Sequence, residues 1–171
     1  MSKPKVLTIV GTRPEIIRLS RLIEKLDTLA DHTLAHTGQN SDPRLNAIFF
    51  EDLGLRQPDV FLEVNTDSMG SVMGQTLEKS EKLLRELKPD AVMILGDTNS
   101  AIAAIVSERL HIPVYHMEAG NRSFDANVPE ELNRKMVDHV STFNLPYNKY
   151  SHQNLLREGI QPRFMQITGS P

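Results

Sequence analysis

Short apolar runs alternate along the chain with longer segments in which apolar residues recur every three or four positions. The runs at 6–10 and 91–95 are apolar on both faces, as strands inside a parallel sheet are. A period of three to four residues is typical of an amphipathic helix. The pattern predicts seven strands, at residues 6–10, 33–37, 60–62, 91–95, 114–117, 143–145 and 164–167.

The segments between the strands predict helices. The clearest apolar stripe runs from Met69 to Leu87, and Asp67 or Ser68 provides its cap. The other predicted helices cover residues 14–30, 43–52, the stretch from the 96–98 turn to 110, 129–140 and 149–158. Strand and helix alternate six times, which predicts one α/β domain over residues 1–171, with a parallel sheet of about seven strands and helices on both faces.

Composition narrows the range of functions. The net charge is −3, whereas a protein that binds nucleic acid by neutralising phosphates usually has a basic excess. The chain has no cysteine, which excludes disulfides, thiolate catalysis and Cys-ligated metals. No apolar run approaches the roughly 20 residues that span a bilayer, and the first residues do not read as a signal peptide. We therefore expect a cytoplasmic protein without nucleic-acid or membrane partners.

Parallel sheets bind ligands outside the carboxyl ends of their strands, so the residues that follow each strand are the candidates for a site. Residues 11–14, after the first strand, read Gly-Thr-Arg-Pro. Glycine lets a ligand approach the backbone, a helix start favours an anion and Arg13 adds a positive charge, which together predict a phosphate site. A simple strand-to-helix turn with a solvated arginine explains the same residues. The 36–40 segment is equally compatible with a ligand loop and an ordinary turn.

Three carboxylates follow later strands. Asp97 comes after the fourth strand, Glu118 after the fifth, and Glu130 lies twelve residues beyond Glu118. If they converge at one edge, burial and mutual repulsion raise carboxyl pKa values and suit the groups to proton transfer. The alternatives are a helix cap for Asp97 and a structural helix start for one of Glu130 and Glu131. The six histidines show no metal-ligand spacing, which disfavours a metal site.

Five segments, taken in order, resemble the non-hydrolysing UDP-N-acetylglucosamine 2-epimerases. They are residues 11–15 (GTRPE), 37–39 (TGQ), 96–98 (GDT), 116–122 (HMEAGNR) and 129–134 (PEELNR). The resemblance covers essentially the whole chain. It implies a Rossmann-like three-layer sandwich, the N-terminal half of a GT-B-type two-domain enzyme with its active site between the halves. It also implies that the C-terminal UDP-binding domain lies outside residues 1–171 and that this half alone is inactive.

The resemblance also implies a chemistry. Members of this family invert carbon 2 of a UDP-N-acetylhexosamine by eliminating UDP and adding it back, with the proton delivered to the other face. They need no metal or cofactor, and the resemblance implies a homodimer for the full-length protein. It assigns catalysis to Asp97, Glu118 and Glu130. The implied substrate-binding residues are Gly11, Thr12, Arg13, Arg18, Gln39, Arg122, Asn133 and Arg134. Among these, Arg13 would hold the diphosphate.

The chain departs from the family pattern at three positions. Many members have lysine where this chain has Arg18, and a guanidinium does not simply replace an ammonium group. Asn40 and Asp42 stand where many members have His and Gln. Those two positions belong to a second UDP-GlcNAc site that activates some bacterial members, so we do not expect that regulation to be intact here.

The finer pattern favours a subgroup of the family. Residues 16–20, 48–50 and 121–125, together with Asn40, are more similar to members that act in UDP-N-acetyl-L-fucosamine synthesis, on UDP-2-acetamido-2,6-dideoxy-L-talose. The ordinary GlcNAc/ManNAc enzyme is the alternative, and either product feeds bacterial surface polysaccharides such as capsule or O-antigen. A GT-B glycosyltransferase and a standalone nucleotide-sugar binding module are the alternatives from other functional classes.

Overall fold

The computed structural model describes residues 2–38, 48 and 50–171, and within them strands and α-helices alternate as predicted. The strands are β1 (Lys5–Val10), β2 (Asp31–His36), β3 (Val60–Phe61), β4 (Ala91–Leu95), β5 (Val114–Met117) and β6 (Phe143–Leu145). The α-helices are α1 (Arg13–Leu29), α2 (Met69–Leu87), α3 (Ala103–Arg109), α4 (Pro129–Val140) and α5 (Lys149–Arg157). Two 3-10 helices cover Asn99–Ile102 and Pro162–Phe164.

The strands form one parallel sheet in the order β3-β2-β1-β4-β5-β6. The chain starts near the centre, adds β2 and β3 on one side, and then returns to add the other three strands on the opposite side. The order therefore reverses between β1 and β4. Doubly wound sheets bind ligands at this reversal, outside the carboxyl ends of the strands, so the loops after β1 and β4 are the first place to look for a site.

Apolar side chains cover both faces of the sheet. Leu7 and Ile9 of β1 are buried in one cluster with Leu84 of α2. Val10, which points to the other face because side chains alternate along a strand, is buried in a second cluster with Ile16 of α1. Helices therefore pack on both faces, and the predicted three-layer α/β architecture is confirmed.

One edge of the sheet differs from the predicted seven strands. The predicted strand at 164–167 begins inside the second 3-10 helix and joins the sheet through a single bridge between Met165 and Asn144. Its backbone does run beside β6, because the N–H of Gln166 donates to the Asn144 carbonyl at 3.1 Å. The 3-10 turn uses the residues that would begin the strand, so six strands remain.

One predicted helix start is capped as expected, and another differs from the prediction. Ser68 caps α2, since its Oγ accepts the N–H of Ser71 at 3.1 Å. The helix predicted after the 96–98 turn begins instead as the 3-10 helix Asn99–Ile102. The helix predicted at 43–52 lies partly outside the described residues, of which 48 and 50–52 are helical. Across the described residues, no helix is both long and apolar enough to cross a membrane.

Candidate active site at the carboxyl edge of the sheet

Asp97 follows β4 and is held by two side chains of α4. Its Oδ2 accepts the Nε–H of Arg134 at 2.8 Å and a second, shorter bond from Nη2 of the same guanidinium. Asn133 Nδ2 donates to the carbonyl oxygen of Asp97 at 3.0 Å. Thr98, not Asp97, occupies the N-cap position of the 3-10 helix that follows, so the cap alternative is wrong. The 96–98 and 129–134 motifs therefore meet at one place.

Glu118 follows β5, and its carboxylate extends toward the β4 loop. It forms an ion pair with Arg18 of α1, and its Oε1 accepts the Nδ2–H of Asn121 at 3.0 Å. A Cβ at Gly96 would lie 3.8 Å from Oε2 of Glu118, so this carboxylate lies next to the residue that precedes Asp97. The φ angle of Glu118 is +64°, which is uncommon for a residue with a side chain and is a conformation concentrated at functional sites.

Glu131, the second glutamate of α4, is a structural residue. Its Oε2 is buried and accepts the N–H and the hydroxyl of Ser123 at 2.9 and 3.0 Å. Burial opposes ionisation, but the bonds from Ser123 and the charge of Lys135 outweigh it and lower the pKa of Glu131 to about 2. This carboxylate ties the loop after β5 to the start of α4.

Glu130 has a different environment from its neighbour. It is exposed, and among the described residues no hydrogen bond or ion pair connects it to another side chain. It precedes Asn133 by three residues and Arg134 by four, and residues at those spacings share one helix face. Glu130 therefore lies near the face of α4 that reaches Asp97, although its carboxylate contacts neither Asp97 nor Glu118.

The loop after β1 is organised around a buried carboxyl. The N–H of Gly11 and the hydroxyl of Thr12 donate to Oε2 of Glu15 at 3.0 and 2.8 Å. Arg13 is the first residue of α1, so the N-terminus of this helix lies at the carboxyl edge of the sheet. The positive end of the helix dipole favours an anion there, which supports the predicted phosphate-binding role of Arg13. The donors of Gly11 and Thr12 are bonded to Glu15, so their predicted contact with phosphate stays a prediction.

Arg122 lies in a buried group of charges below the edge. Its side chain is 0% exposed and pairs with Asp138 at 2.7 Å and with Glu158 at 2.5 Å. These contacts connect the loop after β5 to α4 and to the end of α5. The geometry gives Arg122 a structural role in holding that loop, while its predicted contact with substrate stays a prediction.

His116, two residues before Glu118, belongs to the same buried group. Its Nδ1 lies 2.9 Å from Oδ1 of Asp138, and its Nε2 donates to the Gly96 carbonyl at 2.8 Å. Burial alone would lower the pKa of His116, but the adjacent Asp138 carboxylate outweighs burial and raises the pKa. The imidazole is therefore a buried, hydrogen-bonded group that links the loops after β4 and β5.

Several residues at this edge were not singled out by the sequence. Asp138 lies in the last turn of α4, and nothing in its spacing indicates that it is buried between His116 and Arg122. Tyr147 follows β6, and its hydroxyl is buried without a hydrogen-bond partner in the part of the chain that is described. Burial first, and then the Glu118 carboxylate, raise the pKa of Tyr147 to about 12. An isolated aromatic after a strand carries no sequence signal of this placement.

An open groove of about 620 Å³ lies beside Arg122 and Arg134. Its walls come from the loop after β5, from Arg134 of α4 and from the first two turns of α5. Gln39, a predicted substrate-binding residue, lies outside the described residues, as do Asn40 and Asp42. Within the described ranges, no three His, Asp or Glu side chains converge in an arrangement that could hold a metal ion.

Comparison with known proteins connects this geometry to a family. The family model for UDP-N-acetylglucosamine 2-epimerase matches residues 24–171. The chain belongs to the UDP-N-acetylglucosamine 2-epimerase family. A curated UDP-N-acetylglucosamine 2-epimerase from Methanocaldococcus jannaschii is 42% identical over 168 residues, which are 97% of this chain and 46% of that protein. The chain thus spans about half the length of the curated relatives it matches.

Solved structures of this family superpose closely on the chain. The UDP-N-acetylglucosamine 2-epimerase from Rickettsia bellii has a TM-score of 0.93 at 47% identity, over 98% of this chain and 45% of that one. The M. jannaschii enzyme, crystallised with UDP-GlcNAc and UDP, has a TM-score of 0.93 at 41% identity, over 97% and 46%. A lipopolysaccharide galactosyltransferase, WaaB, has a TM-score of 0.69 at 11% identity, which shows a shared fold alone.

Proposed function

We propose that the complete protein is a UDP-N-acetylhexosamine 2-epimerase that inverts carbon 2 by elimination and re-addition of UDP. The observation that carries this proposal is the convergence of Asp97 and Glu118, each beside an arginine, at the carboxyl edge of the sheet. The chain belongs to the UDP-N-acetylglucosamine 2-epimerase family. Two carboxylates at one edge supply a base for the carbon-2 hydrogen and an acid for its return. In this proposal residues 1–171 are the N-terminal half of the enzyme, and a second domain forms the other side of the active site.

The positive groups of the edge have a role in leaving-group departure. UDP leaves as a dianionic or trianionic group, and positive charge fixed near the developing charge stabilises the transition state. Arg13, at the start of α1, is the proposed diphosphate contact, supported by the helix N-terminus at the same edge. A bound diphosphate also offers Arg18 an anion other than Glu118. Arg18 could then leave Glu118 for the diphosphate when substrate is present.

The remaining predicted residues divide between binding and positioning. Asn133 and Arg134 hold Asp97 from α4, so we propose that they position its carboxylate for proton transfer. Glu130 is exposed and without a partner in the described part of the chain, which suits a group that meets the sugar directly. Gly11 and Thr12 donate to Glu15, so we propose that they shape the loop on which the diphosphate lies.

The substrate within the family is a further proposal. UDP-GlcNAc is the substrate supported by the names of the relatives, and a homologous structure contains it. The residues at 16–20, 48–50 and 121–125 favour the 6-deoxy-L-talose derivative, although the names of the relatives do not indicate this finer assignment. We further propose that the complete protein forms a homodimer and acts in the cytoplasm, on the pathway to surface polysaccharides.

The test is a product assay on the full-length protein. It is incubated separately with UDP-GlcNAc and with UDP-2-acetamido-2,6-dideoxy-L-talose, and each product is identified by NMR. We expect inversion at carbon 2 of one of them. Glu118→Gln should reduce turnover at least 100-fold, while Glu81→Gln, at an exposed i,i+4 pair on α2, should leave turnover unchanged. Transfer of the sugar to an acceptor without inversion would support a glycosyltransferase instead, and tight UDP-sugar binding without turnover would support a binding module.

A further inference from the structure

Glu15 is a buried carboxyl to which the proposed reaction assigns no role. It is 1% exposed, although charged side chains are rarely buried without a paired charge. The groups that hydrogen-bond to it in the described part of the chain are neutral: the Gly11 N–H and the hydroxyls of Thr12, Ser100 and Thr98. Burial, the largest influence, raises the pKa of this carboxyl, and the hydrogen bonds only partly oppose it. Burial therefore shifts Glu15 toward its neutral form, relative to a carboxyl in water.

A row of hydroxyls leads from this carboxyl to the edge of the sheet. Oε1 of Glu15 lies 2.5 Å from the Oγ of Ser100, which is fully buried. Ser100 donates in this short hydrogen bond when Glu15 is a carboxylate, and Oε1 donates to Ser100 when it carries the proton. Ser100 Oγ lies 2.7 Å from Thr98 Oγ1, a distance at which either hydroxyl can be the donor. Thr98 is partly exposed and directly follows Asp97 in the chain. The buried acid is thus connected, without a gap, to the loop that carries a proposed catalytic carboxylate.

We propose that Glu15, Ser100 and Thr98 form a proton-conducting chain that connects a buried acid to the active-site edge. In one transfer, the proton on Glu15 Oε1 moves to Ser100 Oγ, the Ser100 proton moves to Thr98 Oγ1, and the Thr98 proton leaves to a water molecule at the edge. Each O–H bond that breaks is replaced at the next oxygen, so both hydroxyls stay neutral. Glu15 becomes a carboxylate that the Gly11 N–H and the Thr12 hydroxyl stabilise at Oε2.

The reverse transfer reloads Glu15 with a proton from the edge. An epimerase that removes a proton on one face and returns one to the other face leaves its base protonated and its acid deprotonated, so both groups must be reset between turnovers. A buried acid that exchanges protons with the edge can do this, and this use of the chain rests on the proposed function. Glu15 then acts through Thr98 as a positioning and proton-storage residue, not as a group that touches the sugar.

The primary test does not depend on substrate. Infrared spectra of the full-length protein are recorded at neutral pH in the region where carboxylic acids absorb. The carbonyl stretching band of protonated Glu15 is the band in that region that Glu15→Gln removes. Transfer into D₂O shifts this band as the carboxyl exchanges its proton. We expect Ser100→Ala and Thr98→Val to slow that exchange at least tenfold. Ser107→Ala is the matched control, because Ser107 is a fully buried serine whose hydroxyl donates to Ala103 instead.

The second test is kinetic. Glutamine at position 15 keeps the shape of a protonated glutamate, with one oxygen to accept from Gly11 and one N–H group to donate to Ser100, but it releases no proton. We expect Glu15→Gln to retain the thermal stability of the full-length protein, to lower kcat at least tenfold with little change in KM, and to change the pH profile of kcat. Glu108→Gln, whose carboxyl bonds Thr142 and Val114 at the opposite edge of the sheet, is the control.

The outcomes separate this inference from the proposed function. Unchanged exchange rates in Ser100→Ala and Thr98→Val overturn the chain, as does the absence of any protonated-carboxyl band that Glu15→Gln removes. Normal kcat and pH profile in Glu15→Gln overturn its catalytic use. If Ser100→Ala and Thr98→Val slow the exchange but the wild-type protein inverts neither UDP-sugar, the proton-conducting chain is retained and the epimerase proposal is rejected.

Discussion

At the scale of single residues, local spacing located the site and tertiary contacts assigned the roles. The sequence placed Asp97 and Glu118 after consecutive strands, and the rule that parallel strands end at one edge made their convergence, with that of Glu130, an open possibility. The structure shows that those two strands are neighbours. The sequence left open which of Glu130 and Glu131 was structural, because both suit the first turn of a helix. Burial of Glu131 against Ser123 decides this, and no linear pattern contains that contact.

The Asp97 carboxylate gives the first residue-scale prediction. Asp97→Asn in the full-length protein should lower kcat by about 10²–10⁴-fold, since an amide neither accepts a proton nor balances the charge of Arg134. Turnover of UDP-GlcNAc measures this. Asp90→Asn is the matched control, because Asp90 accepts the Lys5 N–H at the opposite edge of the sheet. Equal loss in both variants would point to a general folding defect.

His36 gives a prediction for stability against pH. Burial at the end of β2 lowers the pKa of His36 from 6.5 to about 4, and its Nδ1 accepts the N–H of Gly38, as only a neutral imidazole can. The contribution of His36 to the free energy of unfolding is fully present above pH 6.5, because the imidazole is then neutral in both the folded and the unfolded chain. It is lost as pH falls from 6.5 to about 4, because only the unfolded chain takes up the proton, at a cost of about 3 kcal/mol.

The measurement is urea unfolding of this chain at pH 7 and pH 4. His36→Asn, whose Oδ1 can replace Nδ1 as the acceptor from Gly38, should remove most of this acid sensitivity. His139→Asn, at an exposed position, should leave it unchanged. An identical pH dependence in wild type and His36→Asn would contradict the assignment.

At the scale of elements, periodicity predicted the order and type of most helices and strands. It was wrong for two apolar segments, which form 3-10 turns where an α-helix start and a strand were predicted. The 99–102 segment is fully buried at Ser100, Ala101 and Ile102, where it packs against β1, α2 and α4, and it forms a 3-10 turn. The 164–167 run has a strand-like composition, but Pro162 starts a 3-10 turn that prevents a full strand.

The loop after β5 carries an element-scale prediction. Gly120 has a φ of +80°, and a Cβ there would lie 2.2 Å from the carbonyl oxygen of Ser151 in α5. Gly120→Ala should therefore cost about 3 kcal/mol or more, the sum of the left-handed backbone penalty and the clash with a helix backbone. Because the same loop carries Glu118, kcat of the full-length protein should fall as well.

Gly159 provides the control for that substitution. Its φ is +88°, but a Cβ there would meet nothing within 4 Å. Gly159→Ala should therefore show only the left-handed penalty, about 1–2 kcal/mol, with normal kcat. Thermal melting of both variants measures the difference, and equal destabilisation would show that the contact with α5 contributes little.

At the scale of the whole molecule, the alternation predicted the class of fold but not the strand order. The order β3-β2-β1-β4-β5-β6 depends on which edge each crossover reaches, and this is a property of long-range packing. The reversal between β1 and β4 brings Arg18 of α1 to Glu118, 100 residues later in the chain. That pairing, and the buried contacts of Arg122, could not be read from local spacing.

The buried group around Arg122 yields a whole-molecule prediction, since it joins the β5 loop to two helices. Arg122→Met should destabilise this chain by about 3–5 kcal/mol, because it leaves Asp138 buried without its main cation. Arg85→Met, which removes an exposed pair with Glu81, should cost no more than about 0.5 kcal/mol. Urea unfolding compares the two. Similar small losses would mean that Arg122 is free to serve the substrate instead.

The most direct measurement of the central claim is the fate of the carbon-2 hydrogen during turnover in D₂O. Full-length protein is incubated with the UDP-N-acetylhexosamine that it inverts, and the product is examined by NMR and mass spectrometry. If carboxylates at the sheet edge remove and return this hydrogen, the product carries deuterium at carbon 2, and Glu118→Gln or Asp97→Asn greatly slows its entry. Inverted product that keeps its original hydrogen at carbon 2 would contradict the account.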